Sequence, residues 1–273
     1  MNPSLTFTLL FIIYNLTFQN CCKNLIYVTL LLLYIYVCWN FFCDRLRVRD
    51  REKDGDIFAM YKPVLRVLMK LTRVRPQTVE IELGTVMNFW VPNQTSNKSK
   101  NTNNNAMVFL HSFAADGIIT WQFQVLALAR KYNVYVPDLL FFGGSITDRP
   151  ERTPEFQAEC VAKGLRKLGV EKCTLVGSSY GGLVGFKMAE MYPDLVESMV
   201  LSCSIMALTK SISDAALERM GFKSWSDYLI PDLVQGVKLQ LEIATYKFPR
   251  IPNFVFKDYL EVYISFIIYA SSW

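Results

Sequence analysis

The sequence predicts an α/β fold: a mostly parallel sheet covered by helices on both faces. Three observations carry that expectation. Short apolar runs of strand length recur, helical stretches separate them, and a serine bracketed by glycines stands where one run gives way to a helix. The runs are AMVFL (106–110), NVYVP (133–137), KCTLV (172–176) and SMVLS (198–202).

In chain order, residues 79–83 and 85–91 read as a β-hairpin, followed by a low-complexity polar loop over 93–105. Residues 119–131 form a helix between the first two parallel strands. Thr153 followed by Pro154 marks the start of another, running to about Leu168, because proline is favoured at the first helical position. Residues 180–191 form a third. Together these make a core over 76–203 containing six strands. Past Cys203 the strand signal stops. SDAALERM ends at Gly221, PDLVQGVKLQLEIATYKF follows, and Pro249 and Pro252 break it. This reads as a helical lid over 204–260 with an apolar tail over 261–273.

Ahead of the core lie two apolar runs, 5–18 and 25–42. The second carries no charge and is long enough to cross a bilayer as a helix. Arg45, Arg47, Arg49, Arg51 and Lys53 follow it, against Lys23 before it, so the positive-inside rule places the remainder on the cytoplasmic side of a membrane. Residues 1–59 therefore read either as a membrane-anchor region of apolar helices or as an extension ahead of a start at Met60, which would make the protein cytoplasmic. Over 60–75, Lys62, Arg66, Lys70 and Arg73 recur at helical spacing, opposite Val64, Leu65, Leu68 and Leu71, with no acidic residue. Such a basic amphipathic helix lies on an anionic membrane surface or packs as an ordinary helix with a solvated face; both readings stand.

Composition narrows the function classes. Hydrophobic residues make up 52% and charged residues 19%, with the apolar excess at the two ends and a formal net charge of +5. The basic residues of the core do not gather with interleaved aromatics, so no nucleic-acid partner is expected. The seven cysteines show no zinc-type spacing and read as reduced thiols, so no metal site is expected. The chain holds a single histidine, His111. That count matters because a serine nucleophile ordinarily needs an imidazole base.

The chemistry-bearing motif is G-x-S-x-G, present as Gly177-Ser178-Ser179-Tyr180-Gly181 between a buried strand and a helix. A strained turn there displays the Ser179 hydroxyl at a helix N-terminus, and Gly177 and Gly181 let neighbouring backbone pass. Upstream, His111-Ser112-Phe113 follows the strand MVFL, and PDLLFFGGS (137–145) follows the next strand. The backbone amides of Phe113 and Tyr180 are candidate donors to a developing oxyanion.

These three motifs, in this order and spacing, resemble the α/β-hydrolase superfamily over roughly residues 76–262, in particular its lid-bearing esterase, monoacylglycerol-lipase-like and epoxide-hydrolase-like branch. The resemblance implies Ser179 as nucleophile, Phe113 and Tyr180 as oxyanion donors, and His111 and Asp138 as loop-shaping residues outside the triad. It also implies acyl-enzyme chemistry without metal or cofactor, and a small-molecule ester or apolar ligand as partner; the membrane is the second partner expected, from the apolar N-terminal runs. Ser112 departs from the glycine usual at that place. A serine at the elbow argues against epoxide opening, for which the family uses a carboxylate there. The triad acid and histidine, expected on loops after later strands, have no counterpart: no histidine follows Ser179. The expectation is a serine ester hydrolase lacking the last strands and impaired in catalysis. The alternative is a non-catalytic member of the same fold that binds a small apolar ligand under its lid.

Overall fold

The computed structural model describes residues 57–93, 106–113, 115–204, 209–244, 253, 255–257 and 259–261, all within one compact unit. The apolar runs 5–18 and 25–42, most of the 93–105 loop and the tail beyond Glu261 lie outside the described residues.

The elements are α1 (Ile57–Leu71), β1 (Val74–Glu82), β2 (Thr85–Pro92), β3 (Ala106–Leu110), α2 (Gly117–Leu128), β4 (Asn133–Pro137), β5 (Ile146–Thr147) and α3 (Pro154–Lys167). There follow β6 (Cys173–Ser178), α4 (Tyr180–Met191), β7 (Val196–Ser202), α5 (Lys210–Met220), α6 (Trp225–Leu229) and α7 (Val234–Ala244). The seven strands form one sheet in the order β1-β2-β4-β3-β6-β7, with β5 beside β2. The β1–β2 hairpin joins β4 antiparallel, whereas β4, β3, β6 and β7 run parallel.

Side chains alternate across this sheet, and each set meets its own helices. Met87, Phe89 and Val91 of β2, Val108 and Leu110 of β3, and Leu175 of β6 point to one side. There they pack with Phe156, Val161 and Leu165 of α3 and with Val184 and Met188 of α4. Trp90, Phe109, Val134 and Val136 point the other way, onto Leu65 and Met69 of α1 and Ile118, Trp121 and Val125 of α2. Gly164 of α3 is required by this packing, since a Cβ there would strike the Phe89 ring.

Helix starts follow their caps. The side chain of Thr153 accepts from the Phe156 amide, with Pro154 at the first helical position, and Asp116 caps α2 by accepting from the Ile119 amide. The helix α5, in the stretch expected to form a lid, stops at Gly221, which takes a left-handed φ of 78°.

Two boundaries differ from the expectation. The basic stretch forms a helix over 57–71, not 60–75, and β1 begins at Val74, not Val79. The chain turns between them because Arg73 adopts φ 61° and its carbonyl accepts the Asn93 amide. Pro76 sits inside β1 because β1 is an edge strand, where a missing donor can face solvent. The two-residue β5 was not foreseen; the hydroxyls of Thr147 and Thr85, 2.7 Å apart, join it to β2.

Candidate active site

β6 ends at Ser178 and α4 begins at Tyr180, so Ser179 alone makes the turn, with φ 51° and ψ −116°. L side chains rarely adopt that conformation, and holding one there stores about 1–3 kcal/mol of strain. Hydrogen bonds on both sides keep it in place. The Ser179 amide donates to the Ser202 carbonyl at the end of β7 (3.0 Å), and its carbonyl accepts the amides of Gly182 (2.9 Å) and Leu183 (3.3 Å). The two glycines are needed by close approach. A Cβ on Gly177 would lie 2.9 Å from the Gly181 carbonyl oxygen, and one on Gly181 would run into the carbonyls of Leu110 and His111. α4 can therefore begin directly against the end of β3. Tyr180 is the first residue of that helix, so no intrahelical carbonyl can reach its amide. Its phenol is largely buried, and burial pushes its pKa up to about 12 against a hydrogen bond from Gln157.

The segment after β3 stands beside this turn. Phe113 meets the Tyr180 ring edge-on at 6.2 Å and the Phe142 ring at 5.4 Å. The Ser112 hydroxyl donates to the Ser178 carbonyl at 3.4 Å. Five of the six residues singled out from the sequence — Phe113, Gly177, Ser179, Tyr180 and Gly181 — therefore gather at the carboxyl end of β3 and β6.

The sixth, His111, is turned inward. It is fully buried; the Leu139 amide donates to Nε2 (2.8 Å), which leaves Nδ1–H to donate to the Ser112 carbonyl (2.8 Å). Both ring nitrogens are thus occupied by backbone. Burial outweighs its backbone hydrogen bond and holds its pKa down to about 4, so the ring is neutral near pH 7.

Asp138 is likewise structural. Its Oδ2 accepts from Asn88 Nδ2 (2.8 Å) and the Gly144 amide (3.0 Å), and its Oδ1 from the Gly117 amide (2.9 Å) at the start of α2. One carboxylate thereby ties β2, the 138–145 loop and a helix N-terminus together. Burial raises its pKa in spite of those bonds. Sequence reasoning missed its helpers. Asn88 sits inside an apolar strand, and Gln157 of α3 binds both the amide (2.8 Å) and the carbonyl (3.1 Å) of Leu140. A polar residue where the pattern demands an apolar one was the available signal. Asp214, Asp227, Asp232 and Glu242, in the stretch expected to form a lid, are all exposed, and Asp214 pairs with Lys210. Among the described residues no cluster of histidine, cysteine or carboxylate side chains could hold a metal.

A strand, a one-residue strained turn and a helix, set in a parallel sheet behind a hairpin, make the strand–turn–helix arrangement of an α/β-hydrolase fold. Residues 105–252 match the family model described as alpha/beta hydrolase fold, and the chain belongs to that family. Among curated relatives, human Epoxide hydrolase 4 is 27% identical over 99 residues, covering 35% of this chain and 26% of that protein. Epoxide hydrolase 3 of Xenopus tropicalis is 30% identical over 102 residues, covering 36% and 27%. The matched segments thus span about a quarter of those relatives' length. Among solved structures, a bacterial membrane phospholipase A described as a virulence factor superposes with a TM-score of 0.60, at 21% identity, over 92% of this chain and 73% of that one. That likeness supports the fold.

Proposed function

We propose that this protein is a serine hydrolase of carboxylic esters, lipid esters among them, working through an acyl-enzyme on Ser179. The carrying observation is the backbone of Ser179, held at φ 51° between β6 and α4. A turn of this kind is suited to displaying a hydroxyl between strand and helix N-terminus, and Ser179 is half-buried there. In this reading Ser179 Oγ attacks the ester carbonyl, and the amides of Tyr180 and Phe113 receive the negative charge that develops on the carbonyl oxygen. Such donors contribute about 3–4 kcal/mol each to lowering the barrier. The carbon–oxygen bond to the alcohol then breaks, the Ser179 proton ends on the departing oxygen, and water hydrolyses the acyl-serine to the acid and free Ser179. The epoxide-hydrolase names of the relatives transfer less well. Epoxide opening by a serine oxygen would leave an ether, which water does not readily cleave, whereas a carboxylate nucleophile leaves an ester that it does.

The one histidine in the sequence is engaged by backbone through both nitrogens, which supports the reading that Ser179 acts here without an imidazole base. Absence of the base from such a triad costs roughly 10⁴–10⁶ in rate. The expected behaviour is slow, Ser179-dependent labelling by a fluorophosphonate, accelerated by added imidazole and abolished in Ser179→Ala. Labelling that is absent with and without imidazole would remove the enzyme reading.

The engaged His111 also favours a second reading, in which the same fold binds a small apolar ligand without turnover. Saturable binding of a fatty ester to both wild type and Ser179→Ala, with no acylation of either, is the result that supports it.

A further inference from the structure

The first helix serves two surfaces at once. Leu65 and Met69 are buried in the cluster beneath α1, as a packing helix requires. Yet Val64, Val67 and Leu71 of the same helix are 36%, 58% and 53% exposed. At α-helical spacing these three share an arc of about 60°, clear of the buried side. Arg66 and Lys70, both exposed, lie next to that stripe around the helix, and Lys62 stands beyond them. No acidic residue occurs between Ile57 and Val79, whereas Lys62, Arg66, Lys70, Arg73 and Arg75 do.

We infer that the outer face of α1 docks on an anionic lipid surface, with Val64, Val67 and Leu71 entering the headgroup–acyl boundary and Arg66 and Lys70 meeting lipid phosphates or carboxylates. Charge complementarity selects this occupant. An apolar stripe bordered by Arg66 and Lys70, which form no ion pair among the described residues, fits a surface that is greasy below and negative above, and long cationic side chains reach the headgroups while their stems lie along the apolar boundary. A second copy of the same helix would set these cations against each other. At 15 residues α1 is too short to cross a bilayer, and no described helix is long and apolar enough to do so. In sequence, α1 follows the uncharged run 25–42 and the cluster Arg45 to Lys53.

The placement also bears on substrate access. Lys62 Nζ lies 3.7 Å from Asp116, the cap of α2, and the next residue's amide is held by Asp138 at the carboxyl end of β4. α1 therefore starts at the end of the sheet that carries Ser179, and a docked α1 brings that end near the lipid. The docking itself does not depend on the chemistry assigned to Ser179.

The test adds a tryptophan to the exposed stripe of the full chain. Val67→Trp, with Leu71→Trp as an independent second probe should the first fail to fold, is reconstituted in vesicles containing acyl-brominated lipids. Each vesicle set is made of phosphatidylcholine alone or with phosphatidylserine, and fluorescence is compared with that of the parent chain. Quenching of the added tryptophan in the anionic vesicles is expected. The docking equilibrium constant read from it should fall about five-fold for each cation removed in Arg66→Gln and Lys70→Gln. Three results overturn the inference: no quenching beyond the parent chain, quenching equally strong in neutral vesicles and indifferent to both substitutions, or a spectral shift that follows protein concentration and not lipid.

Discussion

Ser179 and Gly181 illustrate how single positions divide the labour at the strand–helix turn. Ser179 carries a side chain in a conformation suited to glycine, so Ser179→Gly should unfold at higher denaturant than Ser179→Ala, by about 1 kcal/mol. Equal midpoints would show that the turn is not strained. Gly181→Ala forces a Cβ into the backbone of β3 and is expected to cost at least about 3 kcal/mol. Gly169→Ala meets nothing within 4 Å and contends only with its φ of 78°, so about 1 kcal/mol is expected there. His111 adds a pH dependence. Its folded pKa of about 4 lies below the ordinary histidine value, so the unfolded chain binds the proton first as pH falls. The contribution is complete above pH 6.5, declines between 6.5 and 4, and amounts to roughly 3 kcal/mol. Burial pushes Asp116 and Asp138 upward, which acts in the opposite sense. The measurement is therefore the difference between wild type and His111→Gln, whose amide does not titrate. Parallel stability curves across that window would refute the assignment.

At the scale of elements, the loop 138–145 depends on one carboxylate accepting three hydrogen bonds from three places. Asp138→Ala strands the Asn88 amide and the Gly117 and Gly144 N–H groups, and should lower stability by about 3–5 kcal/mol. A loss under about 1 kcal/mol in chemical denaturation would mean that water replaces the carboxylate. These polar ties explain what was legible in advance and what was not. Short apolar runs separated by helical stretches revealed the strands, Thr153-Pro154 and Gly221 revealed helix ends, and Gly177 with Gly181 revealed the turn. Each of those signals is local in sequence. Asn88 and Gln157 hold residues 50 and 17 positions away, so spacing along the chain carries no trace of their partners. The start of β1 escaped notice because its first residues, Val74-Arg75-Pro76, continue a basic run that scans as helix. Only the long-range pairing with Val91 and Pro92 makes them strand.

On the scale of the whole molecule, two apolar clusters sandwich a sheet whose final described strand is thinly covered. Val200 of β7 is 60% exposed, and among the described residues β7 pairs with β6 alone. Val200→Lys should leave unfolding free energy within about 0.5 kcal/mol while reducing aggregation on heating, because a charge on an edge strand discourages edge-to-edge pairing. Light scattering that is unchanged by the substitution would show that another surface drives association. Hydrophobic patterning made this layered plan readable from the sequence, whereas the uneven coverage emerged only once strand order was known.

The link from Ser179 to Ser202 joins that thinly covered border to the strained turn. Since the serine's N–H ends on a carbonyl of β7, fraying of that border releases the very amide that anchors the bend. Deuterium uptake at Ser179 should then keep pace with β7 and outrun the interior turns of α4, making one proton a gauge of how firmly the sheet's margin grips the bend.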